Sequence, residues 1–131
     1  MSEITILKMG DDIIVPVQEE LHDKAAMRLQ EMILQRIEET EAKGLLIDIS
    51  SVSIVDSFLA RLMGDTSRMA RLMGVETVLV GMKKEVVVTL IELGMVLTGI
   101  HTALNIEEGL EYLKQKRQES EYLEEGHELQ V

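Results

Sequence analysis

The sequence predicts an α/β domain in which strands and helices alternate along the chain. Short apolar runs of strand length, such as residues 45–49 and 75–80, are separated by longer segments whose apolar residues recur every three or four positions. Glycines such as Gly44 and Gly74 follow these longer segments, where helices are expected to end. The predicted order is β-β-α-β-α-β-α-β-α. Helical crossovers between strands imply a mainly parallel sheet with one antiparallel hairpin.

The first half of the chain is predicted to contain a hairpin, a helix and the central strand. Residues 4–8 and 13–15 are expected to form the hairpin, because the Gly-Asp-Asp sequence at residues 10–12 is a turn signal. Residues 21–42 have apolar side chains at helical spacing on one face and glutamates on the other. The apolar run at residues 45–49 then predicts a strand buried at the centre of the sheet.

The second half continues the alternation of helices and strands. The predicted elements are a helix over residues 56–73, a strand over 75–80, a helix over 83–93, a strand over 101–104 and a helix over 106–117. Glutamate dominates residues 118–131 and apolar residues are few there, so this segment is predicted to be a frayed or disordered acidic tail. One domain over residues 1–117 is therefore expected.

The composition excludes several classes of protein. A formal net charge of −11, one Phe and no Trp oppose nucleic-acid binding by a basic footprint or by base stacking. The absence of cysteine excludes disulfide scaffolds, zinc-thiolate sites and thiol catalysis. No apolar run approaches the roughly 18 residues of a membrane helix, and the first residues do not resemble a signal peptide. We expect a cytoplasmic protein that does not bind membranes.

The sequence offers no set of residues typical of a catalytic or metal site. His22, His101 and His127 are far apart and lack the spacing of metal ligands, and no metalloprotease, P-loop or dinucleotide-binding motif is present. Ser57 precedes the bulky Phe58, whereas a nucleophile elbow needs small residues around its serine. We therefore expect a protein without enzymatic activity and without a cofactor.

The Asp56-Ser57 pair is the most informative polar feature of the chain. It follows the central strand and a short loop, so it is expected at the carboxyl edge of the sheet, where sites in open α/β sheets tend to lie. Asp and Ser are also the best N-caps of helices, and capping alone explains the pair. The two interpretations, a cap and a functional site, are both compatible with the pattern.

The helix after this pair has two apolar stripes, although a helix on a single sheet usually needs one. The stripe expected to face the sheet comprises Leu59, Met63, Thr66, Ala70 and Met73. The second stripe comprises Phe58, Leu62, Met69 and Leu72 and is interrupted by Asp65. A neighbouring helix or a partner protein would cover it. Three arginines and two aspartates give the segment a net charge of +1 in a chain of −11.

A locally basic, Met-rich helix on an acidic protein is typical of a docking surface. The predicted partner-binding residues are Asp56, Phe58, Arg61, Leu62, Asp65 and Met69. A phosphate on Ser57 would be favoured by the helix amides and would add nearly two negative charges at the rim of this surface. We therefore predict that phosphorylation of Ser57 weakens the binding of a partner.

The stretch GLLIDISSVSIVDSFLARLM, which begins at Gly44, resembles the signature of STAS domains, the sulfate-transporter and anti-sigma-factor-antagonist family. In that signature a strand ending in Asp leads through a loop to Asp-Ser at the start of a helix. The segments RLMG, VETVLVG and VVVTLIELGMVLTGIHTALNIEEGLEYL are similar to the stressosome branch of the family. Direct anti-sigma-factor antagonists usually have a small residue after the serine, so Phe58 favours the stressosome branch.

The resemblance implies a single STAS domain, a small sheet with helices mostly on one face and no catalytic activity. It also implies self-association and co-assembly with larger RsbR-type STAS paralogues in a large shell. The implied function is sequestration of an RsbT-type serine kinase, which phosphorylates Ser57 and is thereby released. An RsbX-type phosphatase would reset the switch, and Asp56 would cap or orient the helix beside it.

Three other functions remain open from the sequence. The chain is alternatively a direct anti-sigma-factor antagonist, or a STAS module that binds a small ligand or a nucleotide near the same loop. The net charge of −11 and the absence of a phosphate-binding loop oppose an anionic ligand. A hydrolase with Ser57 as its nucleophile is a third alternative.

Overall fold

The structure is a computed structural model of the 131-residue chain, and it describes residues 4–18, 21–94 and 99–124. The elements in order are β1 (Leu7–Met9), β2 (Asp12–Pro16), α1 (Asp23–Thr40), β3 (Gly44–Asp48), α2 (Ser57–Leu72), β4 (Glu76–Val80), α3 (Lys84–Glu92), β5 (His101–Ala103) and α4 (Ile106–Tyr122). This succession confirms the predicted order of strands and helices.

The five strands form one mixed sheet in the order β1-β2-β3-β4-β5. β1 pairs with β2 in the antiparallel sense, and all other neighbours are parallel. On the central strand, Leu46 lies opposite Ile14 of β2 and Val78 of β4. The helices α1, α2 and α3 connect successive parallel strands, as crossover connections must.

Both faces of the sheet are covered, which explains why the central strands are continuous apolar runs. Leu45 and Ile47 of β3 belong to a core cluster that also contains residues of α1, α2 and α3. Leu46 points to the other face and packs in a second cluster with Leu113 of α4. Three helices therefore cover one face and α4 covers the other, which confirms the expected arrangement of helices mainly on one face.

α4 lies close against its face of the sheet because of a glycine. A Cβ atom on Gly109 would meet Val80 Cγ1 at 2.7 Å and Leu46 Cδ1 at 2.9 Å. Further along the helix, Arg117 donates through both terminal nitrogens to the two carboxylate oxygens of Asp12, a buried residue of β2. The helix is therefore attached to the sheet by close packing at its start and by an ion pair near its end.

The predicted beginning of the acidic tail needs a correction. α4 continues to Tyr122, beyond the end predicted at Arg117, so residues 118–122 are helical. Gln and Glu are good helix formers, and the anchored Arg117 holds the preceding turn in place. Residues 125–131 of the predicted tail lie outside the described residues.

Candidate functional site

The site predicted at Asp56-Ser57 lies at the end of the loop that joins β3 to α2. The loop begins with a turn in which the Asp48 carboxylate accepts a hydrogen bond from the Ser50 amide at 2.9 Å. Val52 and Val55 are both almost fully buried, at 1% and 2% exposure. Because two side chains of the loop lie in the core, the start of α2 has a defined position at the carboxyl edge of the sheet.

The loop also contacts the connection between β4 and α3. Lys83 Nζ, just before α3, donates a hydrogen bond to Ser53 Oγ at 3.2 Å. The next residue, Ile54, is 82% exposed although it is a large aliphatic side chain. An apolar side chain therefore projects into solvent immediately before the predicted site.

Asp56 is the N-cap of α2, and Ser57 is the first residue of the helix. The Asp56 carboxylate accepts a hydrogen bond from the Leu59 amide at 2.8 Å. Ser57 is exposed, and its hydroxyl has no hydrogen-bond partner among the residues that the structure describes. The structure thus assigns the cap to Asp56 alone and leaves the Ser57 hydroxyl accessible, a distinction that the sequence pattern left open.

The inner face of α2 differs in part from the predicted stripe. Met63, Thr66 and Ala70 are buried as expected, whereas Met73 follows the helix as its C-cap and is 43% exposed, so its predicted position against the sheet is wrong. The other buried residues of this face are the small residues Ala60, Gly64 and Ser67. A hydrophobic pattern does not mark Gly and Ser, so these inner positions were missed.

The residues of the second predicted stripe differ in their surroundings: a part of the stripe contacts α1, and the rest faces solvent. Leu62 is half-buried and lines a cavity between α1 and α2, so α1 covers part of it. Phe58 and Asp65 are also half-buried, whereas Met69 is 40% exposed. Leu72, at the helix end, is 90% exposed. We define the outer face of α2 as the residues Ser57, Phe58, Arg61, Asp65, Arg68, Met69 and Leu72.

The interface between α1 and α2 holds the inner side of α2 in place. Gln30 of α1 donates to Thr66 Oγ1 at 2.9 Å, and the Thr66 hydroxyl donates to the Leu62 carbonyl at 2.7 Å. The cavity between the two helices measures about 30 Å³. That volume is far too small for a nucleotide, so this cavity does not favour the small-ligand alternative.

The arginines of α2 differ in their partners. Arg68 forms an ion pair with Asp65 one turn earlier on the helix, and Arg71 donates to the Gly99 carbonyl. Arg61 is exposed and has no ion-pair or hydrogen-bond partner within residues 4–18, 21–94 and 99–124. One cation on the outer face is thus uncommitted within the described chain.

The structure does not bring the described histidines together. His22 precedes α1, whereas His101 lies on β5 and stacks on Tyr112 with ring centroids 3.7 Å apart. His127 lies outside the described residues. Within the described part of the chain, His, Asp and Glu residues form no group suited to a metal ion. Among the described helices, none is both long and apolar enough to cross a bilayer.

The sequence pattern of the STAS domain family matches residues 3–109. The chain is 26% identical over 98 residues to the RsbT co-antagonist protein RsbRA and 27% identical over 106 residues to the RsbT co-antagonist protein RsbRD, both from Bacillus subtilis (strain 168). These matches cover 75% and 80% of this chain but 36% and 38% of the relatives. The chain thus spans little more than a third of the length of these curated relatives.

Two solved structures give longer and more similar matches than these relatives. A serine-to-glutamate variant of RsbS from Moorella thermoacetica is 40% identical, with a TM-score of 0.79 over 89% of this chain and 99% of that chain. A chain from a structure described as the molecular architecture of the stressosome, a signal integration and transduction hub, is 42% identical. Its TM-score is 0.75, and the match covers 86% of this chain and 98% of that chain. The anti-sigma factor antagonist SpoIIAA shares the fold at 16% identity. Its TM-score is 0.65, and the match covers 88% of this chain and 98% of that chain.

Proposed function

We propose that this chain, which belongs to the STAS domain family, is a non-catalytic stressosome scaffold that sequesters an RsbT-type serine kinase. In this proposal the kinase phosphorylates Ser57 and is released, and an RsbX-type phosphatase removes the phosphate. The protein would carry out this cycle in the cytoplasm. The similarity to RsbS and to a stressosome chain supports a stressosome role for this STAS domain.

The same relatives support a role in assembly. Matches of 40% and 42% identity cover almost the whole of each related chain, so the likeness extends to the complete domain. The curated relatives RsbRA and RsbRD are longer proteins that contain a domain of this kind. We propose that the chain self-associates and co-assembles with RsbR-type STAS paralogues in a large shell.

Two observations support an RsbT-type kinase as the partner: the names of the relatives and the chemistry of the outer face of α2. RsbRA and RsbRD are named as co-antagonists of RsbT, and a kinase of that type is therefore the expected partner. Ile54, Met69 and Leu72 expose apolar surface on the loop and along α2, and Arg61 adds an uncommitted positive charge. A surface with both properties suits a partner that presents apolar and acidic groups.

The observation that carries the proposal is the accessibility of the Ser57 hydroxyl at the first position of α2. Asp56 performs the capping, so a phosphoryl group can be attached to Ser57 without loss of the capping hydrogen bond. The new group would bring a charge of about −1.5 to −2 at pH 7. An acidic partner docked on the outer face would then be repelled, and its apolar contacts would be disrupted by a strongly hydrated group.

Titration calorimetry with the cognate kinase tests the proposal. We expect similar affinities for the wild type and for Ser57→Ala, because the hydroxyl is exposed, and at least tenfold weaker binding after phosphorylation of Ser57. Ser51→Ala is the matched control, since Ser51 is an exposed serine of the loop that precedes α2. Equal affinity of the phosphorylated and unphosphorylated proteins would contradict the proposed switch.

A further inference from the structure

α2 has three arginines, of which Arg61 and Arg68 lie on its outer face, and among the described residues only Arg61 is free to bind a new partner. Arg68 is paired with Asp65, and Arg71 donates to the backbone carbonyl of Gly99. Arg61 has no such partner in the part of the chain that the structure describes, and its side chain is exposed. An exposed guanidinium without a partner is available to an anion that arrives on this face.

The position of Arg61 relative to Ser57 is the second observation. The two residues are four positions apart in the same helix, and both are exposed. Side chains at this spacing lie one above the other, with Cβ atoms roughly 5–6 Å apart. An anion at the earlier position and a cation four residues later is also the favourable order, because it agrees with the helix dipole.

We propose that Arg61 is the residue that reads the phosphorylation state of Ser57. In the unphosphorylated chain its guanidinium binds an acidic group of the docked kinase. After phosphorylation the same guanidinium turns to the phosphate on Ser57 in the same helix, and the kinase loses its partner. This inference rests on the proposed function, because it concerns the kinase and the switch proposed above.

The other cations near Ser57 are less suited to this role. Arg68 lies eleven residues further along α2, which is roughly 16 Å along the helix axis, and it is already paired with Asp65. Lys83 donates to Ser53 on the preceding loop. A lysine also lacks the planar fork with which arginine binds two phosphate oxygens at once. Arg61 is therefore the cation that combines the correct spacing with an uncommitted side chain.

The first experiment measures the phosphate itself and needs no kinase. Phosphoserine is incorporated at position 57 by genetic code expansion, and the second pKa of the phosphate is measured by phosphorus NMR. Arg61→Gln is expected to raise this pKa by about 0.3, because loss of a nearby cation disfavours the dianion. Arg68→Gln removes the same charge from the same helix and is expected to leave the pKa unchanged.

Apart from the substituted arginine, both variants contain the same charged residues near the phosphate, so the comparison tests which arginine the phosphate senses. Asp56 lies beside Ser57, Asp65 lies two turns further along the helix, and Lys83 lies across the loop. Arg68→Gln frees Asp65 from its ion pair, which tests whether that carboxylate affects the phosphate. Equal pKa values in the Arg61→Gln and Arg68→Gln proteins would overturn the inference.

The second experiment measures kinase binding by the unphosphorylated variants. Arg61→Gln is expected to weaken binding about tenfold, and Arg68→Gln by a smaller factor, because the charge of Arg68 is already balanced by its ion pair with Asp65. Arg61→Lys keeps the positive charge but lacks the planar guanidinium. Its affinity for the kinase is expected to lie between those of the two glutamine variants. Unchanged affinity of Arg61→Gln, with or without a shift of the phosphate pKa, would overturn the claim that Arg61 reads the switch.

The two experiments also separate this inference from the proposed function. If the wild-type chain does not bind the kinase, or keeps it after phosphorylation, the proposed function fails and the inference fails with it. If the wild type releases the kinase on phosphorylation but the Arg61 and Arg68 variants behave alike, only the inference fails. Circular dichroism of each variant checks that the exposed substitutions leave the fold intact.

Discussion

Asp56 and Ser57 are adjacent residues with different roles at the start of α2. The Asp56 carboxylate accepts the Leu59 amide at 2.8 Å, whereas the Ser57 side chain has no such bond to the described residues. We predict that Asp56→Ala lowers the free energy of unfolding by about 1 kcal/mol, the usual value of an N-cap. Ser57→Ala is expected to change it by less than about 0.5 kcal/mol, as for an exposed position without such a bond.

Urea denaturation followed by circular dichroism measures both variants. Asp56→Asn is a useful third variant, because the amide oxygen is also a good cap acceptor and should retain most of the stability. Equal losses for Asp56→Ala and Ser57→Ala would contradict the assignment of the cap to Asp56. The result also matters for the binding experiments. A Ser57 variant can test the switch only if it lacks the hydroxyl and still folds like the wild type.

The sequence pattern singled out the Asp56-Ser57 pair but did not decide which of the two side chains caps α2. Asp and Ser are both good caps, and their propensities do not decide which side chain bonds to the helix amides. The choice depends on the backbone position at the end of the loop, and the buried Val52 and Val55 determine that position here. The pattern also predicted that Gly44 marks the end of a helix, and the structure adds a second reason for glycine there, since a Cβ atom would clash with the Asp12 carboxylate.

At the scale of the elements, a part of the attachment of α4 to the sheet comes from the ion pair between Arg117 and Asp12. The Asp12 side chain is 7% exposed and that of Arg117 is 20% exposed. We predict that Arg117→Met lowers the free energy of unfolding by about 3 kcal/mol, because it leaves a buried carboxylate without its partner. Lys114→Met, an exposed position on the same helix, is the matched control and should have little effect.

The double variant Asp12→Asn with Arg117→Met distinguishes a lost attraction from an unpaired charge. Removing both charges is expected to recover part of the loss, since the penalty of the buried carboxylate disappears. Equal stability of the wild type and Arg117→Met in chemical denaturation would contradict the role of this pair.

A second property of α4 depends on pH. Burial raises the pKa of Tyr112 to about 12, and the hydrogen bond that its hydroxyl donates to the Glu76 carboxylate acts in the same direction. The pKa of tyrosine in the unfolded chain is about 10. The neutral hydroxyl is thus favoured by folding, and its contribution to stability is complete below pH 10 and is lost as the pH rises through about 12.

Ultraviolet absorbance of tyrosinate in the Tyr122→Phe protein, where Tyr112 is the remaining tyrosine, measures this pKa directly. Glu76→Gln is expected to lower it, because the carboxylate contributes both the hydrogen bond and a repulsive charge. An ordinary tyrosine pKa in the folded protein would contradict the contact between α4 and β4.

The elements themselves were largely predictable, because strand-length apolar runs and helical spacing alternate along the chain. The helical period does not specify which face of the sheet a helix covers, so the position of α4 on the opposite face did not follow from it. The pattern placed Leu62 on a second stripe without deciding whether a neighbouring helix or a partner covers it, and in the structure α1 covers part of this side chain. Helix neighbours on the sheet decide such positions, and periodicity in one helix does not contain that information.

At the scale of the whole molecule, the proposed assembly gives a simple prediction. The chain has a mass of 14.8 kDa and is expected to co-elute with an RsbR-type paralogue in particles far larger than either protein. Size-exclusion chromatography with light scattering measures the mass. Ser57→Ala should assemble like the wild type, because the switch concerns the kinase. Separate elution of the two proteins at all concentrations would contradict the scaffold role.

The central claim is that phosphorylation of one accessible serine releases the kinase. The most direct test incubates the protein with its cognate kinase and ATP, maps the phosphopeptides by mass spectrometry and follows co-elution of the kinase. The account predicts one phosphoryl group, on Ser57, and loss of the kinase from the complex in proportion to it. A phosphate only on Ser50, Ser51 or Ser53, or a kinase that stays bound to the protein phosphorylated on Ser57, would contradict it.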